Sequence, residues 1–238
     1  MTERCTNGVP YNPDDETNDN AEYTAYSTQV SELSGICFTA GNTSLMAVSD
    51  KGKIYEIALD GKNIRQLPYS ANGDFEGITM NNATGEIFVA DETSMSINRL
   101  TANETSLTEI VKINIQNAIS NKGIEGVTYH NGVFYIVNQT EPTRLFTYVQ
   151  STQALTYVDI TFAQYLSDIC YDTSDNTLWI ADSNSKKVFH CKLDGTLINS
   201  QSVSFIAKAE AIAVDRSKGY MWLGCDSSGK LYKVKIAI

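Results

Sequence analysis

Five short segments, LSGICF, FEGITM, IEGVTY, LSDICY and AEAIAV, align on their second residue, at Ser34, Glu76, Glu125, Ser167 and Glu210. The spacings of 42, 49, 42 and 43 residues match the length of a four-stranded propeller blade. Each segment is followed by a second apolar run (LMAVSD, EIFVAD, FYIVNQ, LWIADS, MWLGCD) and then a third (KIYEIAL, SINRL, RLFTYV, KVFHCKL, KLYKVKI). In four of the third runs an aliphatic residue precedes an aromatic one, as in Ile54-Tyr55, Leu145-Phe146, Val188-Phe189 and Leu231-Tyr232. The runs are short, rich in β-branched and aromatic residues, and bounded by Gly, Asn, Asp and Ser, which is the pattern of antiparallel strands. Asp60-Gly61 and Asp194-Gly195 suit tight turns into an outer fourth strand, for which IRQLPY, LTEIVKINI, ALTYVDI and LINSQSVSFI are the candidates.

The fifth repeat ends after three strands, and an extra strand-like run, EYTAYSTQV at residues 22–30, precedes the first. A ring must close, and an N-terminal strand that completes the last sheet closes it while covering an edge. The predicted fold is therefore all-β: a five-bladed propeller over residues 22–238, closed by its N-terminal strand. Six blades would need a further repeat. Residues 1–21 are polar and turn-forming and read as a disordered arm or tether.

Composition limits the function. Against 18 Lys and Arg stand 28 Asp and Glu, a formal charge of −10, so the surface repels phosphate backbones and no nucleic-acid partner is expected. A cation, a small molecule or a protein ligand fits that field, and a monomer is expected. No stretch approaches the roughly 20 apolar residues that span a bilayer, and the N-terminus lacks the apolar core of a signal peptide. The five cysteines, Cys5, Cys37, Cys170, Cys191 and Cys225, show no metal-knuckle or redox spacing. Cys37 and Cys170 are expected as buried free thiols, with no disulfide in the chain. Four Asn-x-Ser/Thr sequons, at Asn42, Asn82, Asn103 and Asn138, are no more than so Asn- and Thr-rich a chain produces by chance.

In a blade the first strand lines the central channel and the second runs back beside it. Glu76, Glu125 and Glu210, with Ser34 and Ser167, are therefore predicted around one mouth of the channel, with Asp168 nearby. Asp50, Asp91, Asn138 and Asp182 end second strands at the same face, and Asp91, Asn138 and Asp182 are candidate ligand-binding residues. Lys53, Arg144, Lys187 and Lys230 open the facing third strands, so ion pairing and turn bonds account for this polar column on structural grounds alone. No basic column faces the glutamates, and Gly77 and Gly126 leave space beside two of them. Converging carboxylates repel unless protons, water or a cation intervene. Two readings stand: Glu76, Glu125, Glu210 and Asp168 as ligands of a hard cation such as calcium, which takes six to eight oxygens, or strand-start caps around a water-filled channel. Only two histidines are present. His130 falls in a turn and His190 in a third strand, so neither a Ser-His-Asp triad nor a His-based zinc site is indicated.

LSGICF followed by LMAVSDKGKIYEIALDGK, with DFEGITM, GIEGVTY and IADSNSKKVFHCKLDG, resembles the blade signatures of the SdiA-regulated family of bacterial propellers. The similarity runs over roughly residues 30–238. It implies a propeller of the bacterial periplasm or cell envelope, often behind an N-terminal anchor and without an established reaction. It also places the chain near phytase-like and gluconolactonase-like propellers, which hold calcium or another divalent metal with channel-mouth carboxylates. By that analogy Glu76, Glu125 and Glu210 are the positions that would hold metal, while Ser34 and Ser167 replace two acids of the ring. Two functions follow from these readings: a non-catalytic binding propeller, favoured by the poor catalytic inventory, or a divalent-metal-dependent hydrolase of lactones, phosphodiesters or phytate-like esters.

Overall fold

The structure, a computed structural model, describes residues 21–69, 71–115 and 122–238. The polar arm expected over residues 1–21, and with it Cys5, lies almost wholly outside the described residues. Twenty strands form five four-stranded antiparallel sheets. The first blade holds β2 (Leu33–Phe38), β3 (Ser44–Ser49), β4 (Lys53–Ala58) and β5 (Asn63–Gln66), and the second β6 (Phe75–Asn81), β7 (Glu86–Asp91), β8 (Ser96–Leu100) and β9 (Leu107–Lys112). The third holds β10 (Ile124–His130), β11 (Val133–Asn138), β12 (Arg144–Val149) and β13 (Ala154–Asp159). The fourth holds β14 (Leu166–Asp172), β15 (Thr177–Asp182), β16 (Lys187–Lys192) and β17 (Leu197–Ser202). The fifth is built from β18 (Ala209–Asp215), β19 (Tyr220–Cys225) and β20 (Lys230–Lys235), and β1 (Tyr23–Ser27) supplies its outer strand.

The predicted closure is what forms. β1 runs antiparallel to β20 with Tyr23 opposite Val234 and Ser27 opposite Lys230. The repeated aliphatic residue of the third strand faces the interior: Ile54, Leu145, Val188 and Leu231 are all fully buried. Five apolar clusters are found among the described residues, each between two neighbouring blades, with Trp179 in the one between blades four and five and Trp222 in the one between five and one. Blade-to-blade packing thus carries the burial that a propeller sheet cannot achieve alone. No helix among the described residues is long and apolar enough to cross a membrane.

A β-bulge interrupts the first hairpin of every blade at the same place. The register shifts between Leu33 and Gly35, Phe75 and Gly77, Ile124 and Val127, Leu166 and Asp168, and Ala209 and Ala211. The residue skipped is the aligned one: Ser34, Glu76, Glu125, Ser167 or Glu210. Bulges break strand alternation and re-aim a side chain, so the repeat column that the sequence displays is the one turned out of the ladder.

Immediately past the bulges the channel narrows to a waist. A Cβ on Gly77 would sit 2.9 Å from the Gly126 Cα, and one on Gly126 would sit 2.5 Å from the Asp168 Cα. Only glycine lets the inner strands approach this closely. Asp168 occupies the waist with no exposed surface. Its carboxylate accepts the amide hydrogens of Ile169 and Ile212, each at 2.8 Å, and that of Ile36. One side chain therefore joins blades four, five and one across the axis.

Candidate metal-binding mouth of the channel

At the bulge end of the channel lies a pocket of about 180 Å³ lined by Glu76, Glu125 and Glu210 together with Ser34, Asp50, Asp74, Glu92, Gln139 and Lys208. The three predicted glutamates are brought to one mouth. Asp168 is not among the lining residues: it lies one residue past the bulge, and its oxygens are engaged by backbone amides at the waist. The ligand-binding residues read from the ends of the second strands also stand apart, because they tie down their own loops. Asp182 is fully buried and accepts the amide hydrogens of Gln164, Tyr165, Asn184 and Ser185. Asn138 donates to the carbonyls of Thr140 and Pro142, and Asp91 accepts from the Ser94 amide at 3.5 Å. No ion pair links these residues to the facing bases among the described residues; Arg144 pairs with Asp159 of β13 instead.

The column that does face the pocket begins one residue later. The ladder sets Ser49, Asp91, Asn138, Asp182 and Cys225 opposite Lys53, Ser96, Arg144, Lys187 and Lys230. Asp50 therefore falls in register with Glu92, Gln139, Ser183 and Asp226, not with Asp91. The amide of Glu92 donates to the Asp74 carbonyl and that of Gln139 to the Gly123 carbonyl, both at 2.9 Å. These bonds carry the inner hairpin past the bulge and hold Asp74 beside Glu92. The sequence signal for these neighbours was an acid or base two residues before the aligned column (Asp74, Lys208) and one after the second strand (Glu92).

One oxygen from each of Asp74, Glu76 and Glu92 lies within 4.8 Å of the others. Glu92 Oε1 is fixed by the Gly123 amide at 2.7 Å. Gly123 is needed here, since a Cβ would meet Glu92 Cγ at 2.9 Å. Gln139, only 6% exposed, donates through Nε2 to Glu125 Oε1 at 2.5 Å, and its own Oε1 has no partner. A buried amide oxygen left without a donor is costly, and it lies in the wall of the same pocket.

The charges are arranged unevenly. Lys208 Nζ lies 2.7 Å from Glu210 and 3.1 Å from Asp226, so the fifth-blade side is neutralised from within. Burial holds the Glu210 carboxyl up at about 7 although Lys208 pulls it down. Among the described residues no base lines the second-blade side. Burial, followed by the charges of Asp74, Glu210, Glu92 and Asp50, lifts Glu76 to about 9. Burial and Glu76 hold Glu125 well above the carboxylate range, and burial also raises Asp74 and Glu92. The second-blade cluster is thus short of positive charge, which a bound cation would supply.

The histidines lie elsewhere. His190 is buried between Thr177, 2.8 Å from its Nε2, and the stacked Trp179 ring; His130 stacks on Tyr171 near the opposite end of the channel. Among the described residues Cys37, Cys170, Cys191 and Cys225 are free thiols. Cys37 and Cys170 are only part-buried, which corrects the full burial expected: both edge onto the opposite cavity. Mass spectrometry of unreduced, alkylated protein should find no bridge among these four; a native disulfide between any two would contradict the structure.

A model of the SdiA-regulated family matches residues 20–164. No curated protein matches the chain. Among solved structures, glutaminyl cyclase from Myxococcus xanthus is 14% identical at a TM-score of 0.69, covering 89% of this chain and 93% of that one. A gluconolactonase from Xanthomonas campestris is 12% identical at 0.62, covering 92% and 80%, and virginiamycin B lyase from Staphylococcus aureus is 16% identical at 0.54, covering 89% and 69%. At these identities the likeness is one of fold.

Proposed function

We propose, for a chain that belongs to the SdiA-regulated family, a non-catalytic binding function centred on a divalent cation at the acidic mouth. One observation carries this reading: the Asp74, Glu76 and Glu92 oxygens converge within 4.8 Å on the side of the mouth that no base neutralises, beside the unpartnered amide oxygen of Gln139. The donors are all oxygen and three are carboxylates. That set matches a hard ion, and calcium tolerates an irregular cage best. When bound, the cation would neutralise the three carboxylates and offer its remaining coordination positions to a small-molecule or protein ligand. Glu210 is assigned outside the cage because Lys208 already holds it.

Calcium should raise the melting temperature by mass action, by about 5–10 °C at a hundredfold excess over Kd. Glu76→Gln should abolish most of that rise, and Glu210→Gln should keep it. A wild type that does not respond, or a Glu210→Gln variant as unresponsive as Glu76→Gln, would overturn the assignment. Without calcium the sign reverses. The Glu76 carboxyl keeps its proton in the fold up to about 9 but loses it near 4.5 when unfolded, so stability falls as pH rises through that window. Glu76→Gln should therefore be the more stable protein at pH 8 in chelator.

A metal-dependent hydrolase is the second reading, and the glutaminyl cyclase and gluconolactonase of similar fold speak for it. Against it, both histidines lie away from the mouth. Calcium-dependent turnover of a lactone or phosphoester, lost in Glu76→Gln, would decide for the enzyme. Placement of a monomer in the bacterial periplasm or envelope is part of the proposal and rests on the family resemblance; cell fractionation and sedimentation test it.

A further inference from the structure

The far end of the channel opens into a second cavity of about 400 Å³, within the range of small-molecule sites. The waist at Gly77, Gly126 and Asp168 lies between this funnel and the acidic mouth, and no residue lines both. Its floor is built from the strand residues that knit the blades together. Thr79 Oγ1 accepts the Tyr129 amide and Thr128 Oγ1 accepts the Tyr171 amide, both at 3.0 Å. Both threonines are buried, at 3% and 7% exposure, and among the described residues neither hydroxyl hydrogen has an acceptor. Cys37 and Cys170 stand level with the threonines, and Ile36, Ile78, Val127, Ile169 and Ile212 line the cavity next to the waist. Burial raises the Cys37 thiol well above its usual range and the Cys170 thiol to about 12, so both stay neutral S–H groups. With the Cys170 hydrogen already given to the Tyr171 carbonyl, the donors left to the cavity are chiefly the two threonine hydroxyls, and this part of it carries no charge.

The charges at the rim are used up among themselves. Asp172 accepts from Ser174 and from Trp179 Nε1 and lies 3.5 Å from Arg216, which also pairs with Asp175. Asp215 is held by Ser217 and Lys218. The parallel stack of His130 on Tyr171, with centroids 4.1 Å apart, gives a flat wall. Buried donors without acceptors call for a ligand with lone pairs, and a rim without spare charge gives no reward to an ion.

We propose that this funnel is a second binding site, independent of the acidic mouth, for an uncharged small molecule that sets a carbonyl or ether oxygen against Thr79 and Thr128 and lays an apolar or ring-shaped body along the His130–Tyr171 wall.

Methyl-¹³C methionine labelling tests it, because Met80 lines the funnel while Met95 packs beside Gly123 at the mouth. The probes are cyclohexanone, dioxane and N-methylpyrrolidone, with cyclohexanecarboxylate and cyclohexylammonium as charged counterparts. The neutral probes should shift the Met80 resonance saturably at millimolar concentration and leave Met95 unmoved. Calcium should do the reverse, so failure of one site leaves the other readable. Thr128→Val should weaken the neutral probes about fivefold, and Thr128→Ser should retain them; the melting temperature of each variant reports whether the lost Tyr171 bond has disturbed the fold. The proposal is overturned if no neutral probe moves Met80, if the charged probes bind it better, or if Thr128→Val binds as wild type does.

Discussion

A chain lacking residues 21–27 is expected to lose its cooperative thermal transition. The missing strand β1 is the outer strand of the fifth blade, and without it the edge of β20 is left unpaired. Its ladder to β20 extends at both ends, where Lys235 donates to the Glu22 carbonyl and Thr28 to the Gly229 carbonyl. Tyr23 stacks on Phe205 with centroids 4.2 Å apart, covering the seam between blades four and five. The turn at Gly61 of blade one packs on Ser27 and Tyr26, and Trp222 of blade five donates to the Leu59 carbonyl. The strand therefore seals the seam between the first and last blades as well as an exposed edge. A ring opened there exposes an edge and two seams, and the net stability that must absorb that loss is only about 5–15 kcal/mol. Far-UV circular dichroism on heating should show a broad melt with a midpoint far below wild type, and a peptide spanning residues 21–30 added in trans should restore a sharp one. A truncated protein that melts within a few degrees of wild type would show that the ring does not depend on this closure.

The repeat made this fold readable because a propeller writes the same burial problem five times. Short β-branched and aromatic runs, turn residues at fixed offsets and a last repeat one strand short imply the strand order and the role of residues 22–30. The mouth was legible in part. Glu76, Glu125 and Glu210 stood out because the bulge that turns them outward falls at the same repeat position in every blade. The bulge also hid part of the rest, since it moves Asp168 from the mouth to the waist. Asp50 groups with Asp91 by pattern because each closes an apolar run, but it lies one residue further from its aligned residue and is in register with Glu92. Gln139 could not be placed by pattern, because no amide recurs in its column, and the position of Lys208 two residues before the aligned one did not disclose its pairing with Glu210. Their roles come from side chains reaching across blades, which sequence spacing does not encode.

Asp168 gives the sharpest test of that correction. Asp168→Ala is expected to lower the melting temperature by about 10 °C. The carboxylate has no exposed surface and takes the amides of Ile169, Ile212 and Ile36, from three blades. Burial pushes its carboxyl well above the usual range, and those amides pull it back toward the ionised form. Alanine would leave the amides facing one another across a void too narrow for an easy rearrangement, since Gly126 already touches the Asp168 backbone. Each buried donor without an acceptor costs about 1–3 kcal/mol, which puts the sum near 3–5 kcal/mol, and at roughly 2–4 °C per kcal/mol for a chain of this size the shift follows. Asp168→Asn keeps one acceptor oxygen but turns an NH₂ group toward an amide hydrogen, so it should fall between alanine and wild type. In Asp168→Asn the further rise in melting temperature on adding calcium should match wild type, because the residue lies outside the mouth. Loss of the calcium response without loss of stability would return Asp168 to the acidic ring where its spacing first placed it.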